Sequence, residues 1–238
     1  MIGIVVPVHN EAQYLHACLA AITKAARHGR LQNETVKIVV VLDACSDESE
    51  SISHLFTVKI LKEEFKNVGQ ARAVGAEYLL AQGARWLAFT DADTIVDLRW
   101  IVSQLGLNSE AVCGTIQISD WSGFGRHAHA MKSDFNQNYK DQEGHRHIHG
   151  ANLGISAEAY RKVGGFLPLA NNEDVALVQA LEKHGINIAW SAKPRVVTSA
   201  RIDPRAPKGF GDTLLSSFAN ILQAESFKQP ENQVNILG

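Results

Sequence analysis

Two carboxylates, Asp91 and Asp93, stand one residue apart just beyond the apolar run Trp86-Leu87-Ala88-Phe89. An uncharged run of that kind reads as a buried strand of a parallel sheet, with the acids at its C-terminal end. Residues i and i+2 of an extended chain point to the same side, so both acids can reach one ion. Hard oxygen donors that leave most of a cation's shell open suit Mg2+ or Mn2+ shared with a diphosphate. The same spacing also marks solvated turns, so the surrounding elements decide between the two.

Other residues in the chain invite chemistry. Glu173-Asp174 follows Asn171-Asn172 and precedes a helical pattern of Val175, Leu177, Val178 and Leu181. As a bare pattern this is equally an N-cap cluster. Arg72 lies among Ala71, Ala73 and Gly75, small residues that let a ligand approach the backbone. Its guanidinium can fork onto phosphate or stack on a base, or it can be an exposed helical arginine paired with an acid. His145, His147 and His149 would share one face of an extended segment. A zinc site is one reading of that triplet; a solvated or acceptor-facing histidine-rich segment is the other.

The elements that must position these residues alternate. Ile2 to Val8 is a charge-free strand, followed by a helical pattern through Tyr14, Leu15, Cys18, Leu19 and Ile22. Asn10 or Glu11 stands where that helix would start. Val36 to Leu42 is a second strand, ending at Asp43, and Ser46-Asp47-Glu48 looks like a helix start. A third short run spans Phe56 to Leu61. A small-residue helix then runs from Asn67 to Leu80, Gly83 breaks it, and the Trp86 strand begins. This β-α-β-α-β-α-β order predicts an α/β fold with a Rossmann-like, mostly parallel sheet flanked by helices. Such sheets bind ligands at the carboxyl ends of their strands.

Taken together, Pro7-Val8-His9-Asn10-Glu11, Val41-Leu42-Asp43-Ala44-Cys45-Ser46-Asp47, Gly69 to Gly75 and Thr90-Asp91-Ala92-Asp93 resemble the family 2 glycosyltransferases of the GT-A fold. Gly150-Ala151-Asn152-Leu153-Gly154-Ile155-Ser156, Val163-Gly164-Gly165-Phe166 and Asn172-Glu173-Asp174 continue the family order. The resemblance covers roughly residues 1–200. It implies an inverting, metal-dependent transfer of sugar from a nucleoside-diphosphate sugar to an acceptor hydroxyl. Pro7, Val8, Asn10, Glu11, Asp43, Arg72, Asp91, Ala92 and Arg201 would then line the donor site, with Asp43 accepting from the base. Asp91 would face the ribose or the metal, and Asp93 would ligate the Mg2+ or Mn2+. Asp174 would be the general base. Trp121, His149, Asn152 and Glu173 fall on the acceptor side. The loop carrying Arg201, Arg205 and Lys208 either closes over the diphosphate or merely carries charge.

The sequence departs from processive members, whose Gln-x-x-Arg-Trp motif it lacks. That favours transfer of a single sugar. A late metal ligand has no candidate near Thr198. Uridine diphosphate is the favoured nucleotide, with guanosine and thymidine forms open and the acceptor unnamed. Two rivals stand beside this reading. A sugar nucleotidyltransferase would need a glycine-rich, basic loop after the first strand, where Pro7-Val8-His9-Asn10-Glu11 stands instead. A degenerate sugar-nucleotide-binding domain would have no need of Asp91, Asp93 and Asp174.

Composition agrees with this class. The 238 residues are 45% hydrophobic and 20% charged, enough for one α/β domain with a sizeable core. We expect one domain over 1–238, with 1–95 the nucleotide-sugar half, 96–200 the acceptor and catalytic half, and 201–238 a loop, helix and tail. The net charge of −2 speaks against nucleic acid. No run of about 18 apolar residues predicts a membrane span, though peripheral membrane contact stays open. No basic leader precedes the first strand. Cys18, Cys45 and Cys113 read as reduced thiols of a cytoplasmic protein.

Overall fold

The computed structural model describes residues 1–200 and 210–226. In chain order the elements are β1 (Ile2–Val8), α1 (Ala12–Ala26), β2 (Val36–Asp43), α2 (Ser49–Ser53), β3 (Lys59–Glu63), α3 (Val68–Ala81) and β4 (Trp86–Phe89). There follow β5 (Ile95–Val96), α4 (Trp100–Leu105), β6 (Ala111–Ile118), α5 (Ala128–Asn138), β7 (Leu153–Ser156), α6 (Ala157–Lys162), α7 (Glu173–Lys183), β8 (Ile188–Thr198) and α8 (Phe210–Ser226). A single 3-10 turn, Gly150–Asn152, leads into β7. The third strand starts at Lys59 rather than Phe56, whose ring instead meets His16 edge-on at 5.2 Å.

The sheet runs β3-β2-β1-β4-β7-β6-β8-β5. The first four strands are parallel, as the alternation of strands and helices requires. β7 enters antiparallel to β4 and β6, and β8 returns parallel to β6. Pro7 is tolerated in a central strand because only Ile2 to Val5 of β1 pair with β4. Its missing N–H falls beyond the last β4 partner.

α3 shows what its small residues are for. A methyl on Gly75 would sit 2.6 Å from Val5 Cγ1, and one on Gly3 would sit 2.7 Å from Leu79 Cδ1. The helix therefore lies directly on β1 and β2, and the small face serves this packing rather than the close approach of a ligand. Val5, Val39, Val41, Leu79, Leu87, Phe89, Leu153, Ile155 and Leu177 form the core beneath it. Burial at about 25 cal/mol per Å2 of apolar surface is what holds the layers together.

The chain divides into two compact units, residues 1–119 with 140–199, and residues 120–139 with 200–238. The first carries the sheet. Within the second, Trp121 packs at 6.0 Å from Phe124 and 5.5 Å from Phe135, and Phe218 on α8 meets Phe124 edge-on at 5.2 Å. Among the described residues no helix is long and apolar enough to cross a membrane.

Candidate active site

The strand feeding the two acids stops at Phe89, earlier than an extended i, i+2 pair requires. Residues 91–94 form a turn closed by Thr94 N donating to Asp91 O at 3.1 Å. The pleat therefore does not aim Asp91 and Asp93, and each is turned to its own partners. Asp93 Oδ2 accepts from Ser199 Oγ at 2.5 Å, and Thr94 Oγ1 bonds Asp93 Oδ1 at 3.3 Å and Thr198 Oγ1 at 3.0 Å. The late part of the domain thus reaches the acid through hydroxyls at the end of β8. No sequence pattern pointed to them. Ala92, between the acids, is buried.

Asp91 has a different partner. Arg72 Nη2 donates to Asp91 Oδ1 at 2.5 Å, and Arg72 Nη1 donates to Glu173 Oε1. Arg72 is 3% exposed and Glu173 4%. This corrects two expectations. The guanidinium fork is committed to two carboxylates rather than held out toward phosphate. Glu173 is a buried counter-ion rather than a group on an acceptor-facing surface. A buried arginine needs such partners, because an uncompensated charge in the interior is costly. Burial pushes the Asp91 carboxyl up, Arg72 pulls it down, and the Asp93 and Asp174 carboxylates add to the rise, which wins. With 37% of its side chain open to water, Asp91 rises less than an enclosed acid would.

Asp174 sits at the start of α7, beside Glu173. Its Oδ2 accepts from Gly150 N at 2.7 Å and its Oδ1 from Val175 N at 2.8 Å. Asn172 precedes the helix in the left-handed region, with φ of 54°, and makes no side-chain cap. The carboxylates here are therefore not a cap cluster built on asparagine. A methyl on Gly150 would fall 2.4 Å from both terminal nitrogens of Arg72, so the glycine lies flat against the guanidinium.

On the nucleotide side, Asp43 ends β2 with both oxygens accepting from backbone, Lys66 N and Asn67 N, each at 2.8 Å. Its own carbonyl accepts from His9 Nδ1 at 2.6 Å. Asp43 thereby holds the loop before α3. Asn10 Oδ1 accepts from Ser46 N at 2.7 Å and ties the first loop to the second. Glu11 stands at the N-cap of α1, where the sequence places the helix start, but its side chain makes no capping hydrogen bond. Ala12 N donates to Asp47 Oδ2 at 2.8 Å and Glu11 N to Ser49 Oγ at 3.0 Å. Val8 is buried, with its carbonyl accepting from Cys45 Sγ at 3.2 Å, and Pro7 is half-buried.

Other acceptor-side expectations change. Asn152 has no exposed surface: its Nδ2 donates to Thr115 O at 2.7 Å and Pro194 O at 2.8 Å, and its Oδ1 accepts from Trp100 Nε1 at 2.9 Å. It is a clamp inside the sheet, not an acceptor contact. Trp121 is buried among aromatic neighbours of the second unit and offers no open platform. His149 is half-buried, and burial holds its ring far below the usual range, at about 3, with His147 and His145 adding to the drop. The three histidines stack, at 5.6 and 6.0 Å with interplanar angles of 18° and 24°. Stacked faces send the ring lone pairs past one another, which disfavours zinc. Arg201, Arg205 and Lys208 lie outside the described residues.

The donor set suits a hard divalent cation, with carboxylates and hydroxyls at the turn, while the Cys18 thiol donates to Asp91 O at 3.3 Å and burial favours its neutral form. No group of three or more His, Cys, Asp or Glu side chains among the described residues is placed to hold a metal ion. An ion on Asp93 and Asp91 would take the rest of its shell from a diphosphate and water.

A family model described as glycosyl transferase family 2 matches residues 3–164. Among solved structures, the mannosyltransferase PcManGT from Pyrobaculum calidifontis, in complex with GDP-Man and Mn2+, is similar at a TM-score of 0.63 and 15% identity. The match covers 97% of this chain and 65% of that one. S. aureus TarS 1-349, in complex with UDP-GlcNAc, is similar at a TM-score of 0.62 and 12% identity, over 93% of this chain and 66% of that one. The chain thus spans less than two thirds of either protein, and at these identities the likeness is one of fold. No protein of curated function matches the chain.

Proposed function

The chain belongs to glycosyl transferase family 2, and on that premise we propose that it transfers one sugar from a nucleoside-diphosphate sugar to an acceptor hydroxyl, with inversion and with a divalent metal. The observation that carries this reading is Arg72, whose one guanidinium holds Asp91 of the acidic turn and Glu173 beside Asp174. Donor-side and base-side acids are thereby gathered at one sheet edge, where ligands bind in open α/β folds.

In this reading Pro7, Val8, Asn10, Glu11, Asp43, Arg72, Asp91 and Ala92 form the donor side, several of them by holding its loops rather than touching it. Asp43 fixes the loop over Lys66 and Asn67. Asp93 and Asp91 would hold the Mg2+ or Mn2+, and such an ion would supply charge neutralisation for the departing diphosphate. Asp174 takes the proton from the acceptor hydroxyl as that oxygen attacks the anomeric carbon. Two backbone N–H groups orient its carboxylate for this. A single displacement by an activated hydroxyl inverts the anomeric centre. The missing Gln-x-x-Arg-Trp motif supports one transfer per encounter. The unpaired thiols of Cys18, Cys45 and Cys113 support a reducing, cytoplasmic setting.

A thermal-shift panel of UDP-, GDP-, TDP- and CDP-sugars with and without Mn2+ tests the reading. A ligand that binds only the folded state raises the apparent stability. A metal-dependent rise with one nucleotide supports it. No rise with any of them from folded protein would favour the degenerate-domain alternative.

A further inference from the structure

Glu173 and Gly150 each meet Arg72. Arg72 Nη1 donates to Glu173 and Nη2 to Asp91, while Gly150 lies against the plane between them. Gly150 N then donates to Asp174 Oδ2 at 2.7 Å. A short chain of contacts therefore runs from Asp91 through the guanidinium and the Gly150 peptide to the oxygen of Asp174. Glu173 pairs with Arg72, and neither side chain meets solvent appreciably.

We infer that Glu173 and Arg72 are positioning residues. Glu173 anchors the guanidinium, the guanidinium forms the floor on which Gly150 rests, and the Gly150 N–H holds the Asp174 carboxylate so that its remaining lone pairs face the proton it takes. The inference rests on the glycosyl-transfer reading for its rate measurements only. Three arguments favour it. A methyl at residue 150 has nowhere to go without moving the guanidinium, so glycine is required there by Arg72 and not by backbone angles. Glu173 directly precedes the base, so the first turn of α7 carries both the carboxylate that anchors Arg72 and the one that takes the proton. Finally, an arginine fork is rigid and planar, and lysine cannot reproduce its two-carboxylate grip.

The test compares E173A, E173Q and G150A. Glutamine keeps a carbonyl oxygen that accepts from Arg72, whereas alanine removes it. Donor dissociation constants are measured by calorimetry with Mn2+, kcat by transfer or donor hydrolysis, and the Asp174 titration midpoint by carboxyl 13C NMR, its signal identified by loss in D174N. E173A and G150A are expected to lower kcat by about 10²-fold, the scale of a misplaced catalytic group, with the donor constant within about threefold. Both should move the Asp174 midpoint. E173Q should recover most of kcat and leave the midpoint in place.

Equal losses in E173A and E173Q would make the charge rather than the contact essential, and would overturn the inference. So would a G150A variant with wild-type kcat and an unmoved midpoint. Where the small variants fold poorly, R72M/E173M replaces the buried pair with apolar groups, a change interiors often tolerate, and kcat within threefold of wild type would overturn the inference equally. If the wild-type chain binds no nucleotide sugar, the glycosyl-transfer reading fails, while the midpoint measurement still decides the positioning claim.

Discussion

Ser199 Oγ donates to Asp93 Oδ2 at 2.5 Å although the two residues lie 106 positions apart. This bond joins the end of β8 to the acidic turn after β4 and orients the carboxylate expected to meet the metal. If Asp93 has that role, D93A should lose Mn2+-dependent donor binding while circular dichroism and unfolding cooperativity stay as in wild type. Donor-induced stabilisation that persists with Mn2+ in D93A would remove Asp93 from the metal site.

Asp174 is expected to act by proton transfer and not by binding. D174N keeps the size of the side chain and one of its two backbone contacts, to Gly150 N or to Val175 N, but cannot take a proton. Turnover should fall by about 10²–10⁴-fold, the usual contribution of a general base. The donor constant should be unchanged. Normal turnover in D174N would assign the base elsewhere.

Asn152 makes a structural prediction that the acceptor reading would not. N152A leaves two buried carbonyls, of Thr115 and Pro194, and the Trp100 indole N–H without their partner. Each stranded group costs about 1–3 kcal/mol. We expect a loss of about 3 kcal/mol in urea unfolding, toward the upper end for single substitutions. A loss below about 1 kcal/mol would show that the clamp is dispensable.

The histidine stack predicts a pH dependence of stability. Burial lowers His149 to about 3, and His147 is lowered as well, by burial and by His145. An unfolded histidine titrates near 6.5. Above that pH both states are neutral and the stability is fully present. As pH falls below about 6.5 the unfolded chain takes up protons that the folded chain refuses, so stability declines toward pH 3. The limit is about 1.4 kcal/mol per pH unit per proton, and the partial exposure of His149 keeps it below that. H149N should flatten the decline between pH 7 and 5 in denaturant titrations. Parallel curves for the two proteins would contradict the assignment.

The order of elements was legible in the sequence because it is a matter of period and punctuation. Charge-free β-branched runs at Ile2 to Val8 and Val36 to Leu42, with small-residue and amphipathic helices between, leave a parallel sheet as the economical solution. Ligand chemistry at the strand ends followed from Asp43, Asp91, Asp93 and Asp174, which stand at the end of β2, just beyond β4 and at the first turn of α7. The partners that join those acids to other segments were not legible, because they are long-range. Ser199 reaches Asp93 across 106 positions, and Arg72 reaches Glu173 across 101. Local spacing made Arg72 equally a phosphate fork or a surface ion pair, and packing of Gly75 onto Val5 decided against both by sinking α3 into the sheet. Asn152 and Trp121 carry the side chains of sugar contacts, yet burial gives them structural work. The sequence alone determined which residue types stand at the carboxyl edge of the sheet. Only the tertiary structure decided which of them face one another, since hydrogen bonds between distant segments depend on how the layers pack and leave no period in the chain.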